Sequence, residues 1–287
     1  MRPISRRLIA LVGVAAIAIA AAAGHSLTRR LPHPTPRAYL GFDANNYPGD
    51  AALPALGRTF SFAGYWLNQP PGGASVSWSG KREILRRDGF GFLLLFNGRL
   101  ERNLRNPARA AQLAASDSVS ATNAALREGF HQGTIIFLDQ EEGGEMEPDQ
   151  IAYLLAWIDG IDAAHFRAGI YCSGIPTSAG KDGMVITADD IRRRAGNRAI
   201  SFFVYNDVCP PSPGCAMSDQ PPAPPASGVP FASVWQFAQS PRRRQYTVRC
   251  SGTYSSEGNC YPVDFGRGGA LIDLDSSTSP DPSDGRR

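Results

Sequence analysis

The sequence predicts an α/β protein: a (β/α)8 TIM-type barrel, irregular in its second half. Three observations lead there. Eight short apolar runs fall between residues 38 and 275, and helix-length segments separate several of them. Runs such as "FGFLLLFNG" are apolar on both faces, as strands of a helix-covered parallel sheet are. The chain of 287 residues is long enough for a closed barrel, which takes about 250 residues. Neither GxGxxG nor GxxxxGK[ST] occurs, which removes the usual phosphate-binding alternatives.

In chain order, "AYLGFD" (38–43) is a first strand and "FSFAGYWL" (60–67) a second. "KREILRRDG" (81–89) is a short helix stopped by glycine, and "FGFLLLFNG" (90–98) is a third strand. An alanine-rich helix over about 108–130 precedes a fourth strand, "GTIIFLD" (133–139). In the helix 149–161, Ile151, Leu154, Leu155, Ile158 and Ile161 recur at helical spacing, after Pro148 and Asp149 at its start. Trp157 lies on that helix and belongs to the core. "RAGIYCSG" (167–174) is a fifth strand. "ITADDIRRRAG" (186–196) is a helix with a threonine start and a glycine stop. "AISFFVYND" (199–207), "FASVWQFAQ" (231–239) and "GALIDLD" (269–275) complete the eight strands. The Pro-rich stretch 208–230 stands where a helix belongs, hence the expected irregularity.

Both ends differ from the middle. Arg2, Arg6 and Arg7 precede an apolar run from Leu8 to Ala23 that is short for a membrane span, and Ala21–Ala23 offer small residues for cleavage. Residues 1–24 therefore read as a signal peptide, and "SRRLIAL" resembles a twin-arginine signal. The alternative is an uncleaved anchor, the sole expected membrane contact. Residues 25–37 are a Pro-rich basic linker, and 38–275 form the barrel domain. Residues 276–287, rich in Ser, Pro and Asp, are expected to be disordered. The expected location is secreted, periplasmic or at the surface of a bacterial cell.

The formal net charge of +3 comes from the leader. Residues 1–37 hold six arginines and no acid, leaving 23 basic against 26 acidic residues. That balance is no footprint for nucleic acid. Five cysteines suit an oxidising compartment. Cys209 with Cys215, and Cys250 with Cys260, flank short loops and could staple them. Cys172 is left inside "AGIYCSG" as a buried free thiol. No Cys/His pattern suggests zinc, and the four histidines carry no assigned role.

Polar residues gather at strand ends. Asp43 ends the first strand, Asp139 and Glu141 the fourth, and Tyr205, Asn206 and Asp207 the sixth. Trp235 and Gln236 lie on the seventh strand, Asp273 and Asp275 on the eighth. In a barrel, C-terminal strand ends converge on the face that holds active sites. Residues two apart share a strand face, about 6.5–7 Å apart. Asp139 and Glu141 therefore point one way, and Gln140 and Glu142 the other. Two carboxyls on one face are what glycosidic cleavage needs: one protonated donor and one charged stabiliser. Repulsion and burial drive their pKa values apart. Trp66, Tyr65 and Trp78 offer flat faces for sugar rings, with core packing the alternative for Trp66 and Trp235.

The segments "YLGFD", "FAGYWL", "IIFLDQE", "AGIYCSG", "VWQFA" and "LIDLD" occur in order. Over 38–275 they resemble a secreted glycoside-hydrolase-like barrel family of unknown function from bacterial cell-surface proteins. That family is similar to the family 25 lysozymes, which cut peptidoglycan. The resemblance implies a strand-1 aspartate at Asp43 and an Asp-x-Glu pair at Asp139 and Glu141, with the glutamate as acid. It further implies substrate-binding positions at Trp235, Gln236 and Asp273. Asp207, with Tyr205 beside it, is the candidate for the strand-6 position. "LDQEEGG" departs from the pattern by a second glutamate.

The expected function is thus a secreted glycosidase hydrolysing a β-linked amino-sugar polymer such as peptidoglycan, with no cofactor or metal. Glu141 protonates the leaving oxygen. Asp139 stabilises charge or orients an acetamido group. Asp43, Asp273 and Tyr205 order the pocket, and Trp66 contributes to substrate binding. The alternatives are an inactive glycan-binding module on the same barrel and a structural wall protein held by an uncleaved anchor.

Overall fold

The computed structural model describes residues 38–73, 75–179, 183–207, 220–239 and 272–287. The expected signal peptide and linker, and the four loop cysteines Cys209, Cys215, Cys250 and Cys260, lie outside the described residues. All eight expected barrel strands form. They are β1 (Tyr39–Asp43), β2 (Phe62–Trp66), β3 (Gly91–Asn97), β4 (Ile135–Asp139), β5 (Arg167–Ser173), β8 (Ser201–Tyr205), β9 (Val234–Ala238) and β10 (Asp273–Ser277). A small hairpin, β6 (Thr177–Ala179) and β7 (Gly183–Val185), branches off after β5. The barrel closes in the order β1-β10-β9-β8-β5-β4-β3-β2.

One expectation needs correction. The eighth strand is not parallel: β10 runs antiparallel to both β1 and β9. Its first residue, not its last, therefore reaches the mouth formed by the other seven C-terminal ends, and Asp273 pairs with Asp43 there.

Helices α1 (Leu53–Leu56), α2 (Arg82–Arg87), α3 (Pro107–Arg127), α4 (Pro148–Ala163) and α5 (Thr187–Ala195) cover the first five barrel strands. After β8, only a 3-10 turn at Pro224–Ser227 is seen among the described residues. The α3 start is set by Asn106, whose side chain accepts from Arg109 N at 3.0 Å, with Pro107 next. At α4, Glu147 N–H donates to Gln150 Oε1 at 2.8 Å, half of a capping box. Small residues let α3 and α4 approach: a Cβ on Gly160 would lie 2.2 Å from Ser118 Oγ. Buried Asp117 ties the pair, accepting from Tyr153 Oη at 2.8 Å and from Arg99. The buried stripe of α4 runs through Tyr153, Leu154, Trp157, Ile158 and Ile161, leaving Ile151 and Leu155 half-buried. The periodicity was right, and the face is turned toward the two aromatic rings.

The tail 276–287 is ordered, contrary to its polar composition. Ser276 and Ser277 complete β10, and the following residues cross the base of the barrel between β3 and β4. Ser283 Oγ accepts from Leu94 N and Asp281 Oδ1 from Phe92 N, each at 2.8 Å, and Ser283 O accepts from Ile135 N at 2.9 Å. Buried Arg82 donates to Gly285 O and Arg287 O. Polar residues signal disorder when their groups must find water. Here they satisfy strand amides that would otherwise be orphaned at the barrel floor.

Candidate active site

The mouth of the barrel holds a cavity of about 320 Å³ lined by residues from most of the strands. Asp43 (β1), Trp66 (β2), Leu95 (β3), Asp139 and Glu141 (β4 and just beyond), Tyr171 (β5), Phe203 (β8), Gln236 (β9) and Asp273 (β10) face it. Asp139 and Glu141 both face the cavity, and Gln140 is buried on the other side of the strand end. Glu142 braces the loop, its Oε2 accepting from Glu101 N at 2.6 Å and Gln150 Nε2 at 2.9 Å.

Gln236 organises the carboxyls. Its Nε2 donates to Asp43 Oδ2 at 2.8 Å and to Asp273 Oδ2 at 3.3 Å. Its Oε1 accepts from Tyr171 Oη at 2.8 Å and Gln239 Nε2 at 3.0 Å. The two donors on Oε1 fix which way the amide faces.

Electrostatics follow from burial and crowding. Burial pushes Asp139 well above the usual carboxylate range, helped by the charges of Glu141 and Asp43. Glu141 stands at the exposed rim and is raised less, by partial desolvation and by Asp43. Asp43 is raised by burial, against the lowering effect of its bonds to Gln236 and Asp275. Asp275, fully buried one layer below, is pushed well up by burial, by Asp43 and by Asp273. Neither Asp275 oxygen receives a bond from an N–H or a hydroxyl group. A carboxyl buried beside two other acids, with no donor on either oxygen, favours its neutral form.

Sequence reasoning and structure part company at several positions. Trp235 does not line the cavity: its neighbour Gln236 does, and adjacent strand residues face opposite ways. Its ring packs outside the barrel near Phe237, and its Nε1 donates to Asn206 O at 3.0 Å. Tyr205 and Asp207, beyond Phe203 on the same chain segment, are not among the cavity-lining residues; Asp207 is buried. Tyr65 and Trp78 are fully buried outside the barrel, with ring centroids 6.0 Å apart. Trp66 does reach the cavity, and its Nε1 is buried without an acceptor. Tyr171 was overlooked because a tyrosine within "AGIYCSG" reads as core; its phase with Phe203 in the neighbouring strand gives it away. Cys172, the next residue, is the buried free thiol expected, pushed well up by burial. No cluster of three metal-ligating side chains occurs among the described residues.

No family model matches the sequence, and no curated protein matches it. Solved structures do align. An uncharacterized protein of B. stearothermophilus is 18% identical, with a TM-score of 0.50 over 83% of this chain and 94% of its own. A Tat-secreted protein of Mycobacterium tuberculosis, solved with L-tartrate, is 12% identical, with a TM-score of 0.50 over 86% and 97%. The spore cortex lytic enzyme SleM of Clostridium perfringens is 12% identical, with a TM-score of 0.51 over 86% and 69%. At such identities the likeness is one of fold: a closed eight-stranded α/β barrel.

Proposed function

We propose that the protein is a secreted glycosidase of lysozyme-like barrel type that hydrolyses an amino-sugar polymer of the bacterial cell wall. The observation that carries this reading is the convergence of Asp139 and Glu141, from one strand end, on a single cavity with Asp43. Glu141 stands at the accessible rim, where a glycosidic oxygen enters, and acts as the acid. Its proton passes to the leaving oxygen as the bond to the anomeric carbon breaks; water then adds to that carbon and gives a proton back to the Glu141 carboxylate. Asp139 stabilises the positive charge that develops on the ring.

The raised pKa values order these roles. In the free protein, burial favours a proton on Asp139. Positive charge developing beside Asp139 favours its carboxylate, and Glu141, raised by partial burial and by Asp43, has a proton to give. Asp43, held by Gln236, and Asp273 orient the sugar. The barrel shared with a spore cortex lytic enzyme supports a wall substrate, and the fold shared with a Tat-secreted protein supports export.

Reducing-sugar release from purified peptidoglycan tests the reading, with Glu141→Gln alongside. The variant is expected to lose at least ~100-fold in turnover, the usual worth of a general acid. Equal activity in both proteins would remove Glu141 from the mechanism. Binding of the polymer without release by either protein would make the barrel a glycan-binding module.

A further inference from the structure

A second cavity, of about 350 Å³, opens on the outside of the barrel where α5 gives way to β8, at the end opposite the mouth. Its lining comes from the end of α5, the connection to β8, Phe202 of β8 and Phe231 on the approach to β9. Phe203 faces the barrel interior, so Phe202 faces outward. The Phe202 ring meets that of Phe231 edge-on, with centroids 4.9 Å apart. No α-helix follows β8 among the described residues to cover this pair. A side chain does so instead: Arg192 of α5 lays its guanidinium over the Phe231 ring, 4.2 Å from the centroid.

The arginines around this cavity are not equivalent. Asp190 takes Arg193 and Arg194, and Asp159 takes Arg198 through two bonds of 2.7 and 2.9 Å. Arg192 is exposed, and among the described residues no carboxylate or carbonyl accepts from it. The helix dipole accounts for basic residues in the last turn of α5. It does not account for one of the three leaving the acids for a ring beside a cavity. Stacking fixes the plane of that guanidinium and uses none of its N–H donors. A planar fork with a free edge is what a carboxylate engages through two parallel bonds. One unpaired cation matches one negative charge, since Asp159 already meets that of Arg198. The half-buried Phe231 and Ile200 make the adjoining wall apolar, so the anion's carrier is apolar too.

We propose that this cavity binds a peptide carboxy terminus whose last side chain is apolar. Arg192 donates two N–H groups to the carboxylate, and Phe231 and Ile200 pack against the side chain. The site is separate from the mouth and stands whether or not the mouth cleaves sugars.

Isothermal titration and 1H–15N spectra of the whole protein at pH 6 test it, with N-acetyl-dileucine, its carboxamide and inorganic phosphate as probes. The acid is expected to saturate one site and to shift the Arg192 Nε–H signal and the amides of 195–200. The carboxamide and phosphate should each bind about ten-fold more weakly or worse, the worth of a charge-assisted bond. Arg192→Gln, at an exposed position, should cut the acid's affinity to the same degree and leave the melting temperature in place. Phe231→Leu keeps bulk but removes the ring face, and should cost about three-fold. Four results would overturn the proposal: no saturable binding of the acid, a carboxamide that binds as tightly, phosphate competing on equal terms, or saturation that survives Arg192→Gln. The comparison of acid with carboxamide uses the unaltered protein, so it decides the matter even where a substitution disturbs the fold.

Discussion

At the scale of single residues, Gln236 is the hinge of the site, because one side chain sets two carboxyls against two donors. Gln236→Glu would replace the donor facing Asp43 and Asp273 with another acid, and each bond lost there costs about 1–3 kcal/mol. Glycan hydrolysis is expected to fall by ~100-fold or more, and thermal unfolding to move down by several degrees; unchanged values of both would remove the amide from its organising role. Much of this site was legible. Asp43, Asp139, Glu141 and Gln236 announce themselves as polar residues closing apolar runs. Trp235 misled because a strand places neighbours on opposite faces, and composition does not say which face is inside. Tyr171 was harder, since a tyrosine inside a strand has a commonplace explanation in the core.

At the scale of elements, glycines in the strands decide how closely side chains approach the mouth. A Cβ on Gly64 would lie 2.4 Å from Asp43 Cβ and 3.0 Å from its Cα. Gly64→Ala must push β1 and Asp43 aside. Overpacking of this kind costs about 1–3 kcal/mol. The expected outcome is a lower melting temperature with a native circular-dichroism spectrum and a loss of turnover larger than the loss of binding. An alanine protein with unaltered turnover would show that Asp43 need not stay where Gly64 admits it. The eight strands were legible from apolar runs and their spacing. The direction of β10 was not, because alternation reads the same from either end. Only pairing with β1 and β9 sets that direction, and it brings Asp273 instead of Asp275 to the rim.

At the scale of the whole molecule, stability should depend on pH in two opposed ways. Asp43, Asp139, Glu141 and Asp275 have folded-state pKa values above their unfolded ones. Their contribution is complete below about pH 4 and is lost as pH rises through the raised folded values. Asp50, Glu83 and Asp159, bonded to Lys81, Arg86 and Arg198, are held low. Their smaller, solvent-screened contribution is present above their unfolded values and is lost as pH falls through the lowered ones. The melting temperature should therefore peak in mildly acidic solution and decline toward neutrality, and Asp275→Asn should flatten the neutral side of the curve. A melting temperature that climbs steadily from pH 5 to 8 would contradict the buried-acid account. Tyr39 pairs with Ser277 across nearly the full length of the domain, and the floor is sealed only by the residues beyond. Local contacts among β3, α3, β4 and α4 can form early, but closing β1 against β10 must overcome the entropy of the entire intervening chain. Barrel closure is thus a late kinetic event, and until it happens β1 and β9 stand as open edges on which a neighbouring unfinished chain can template.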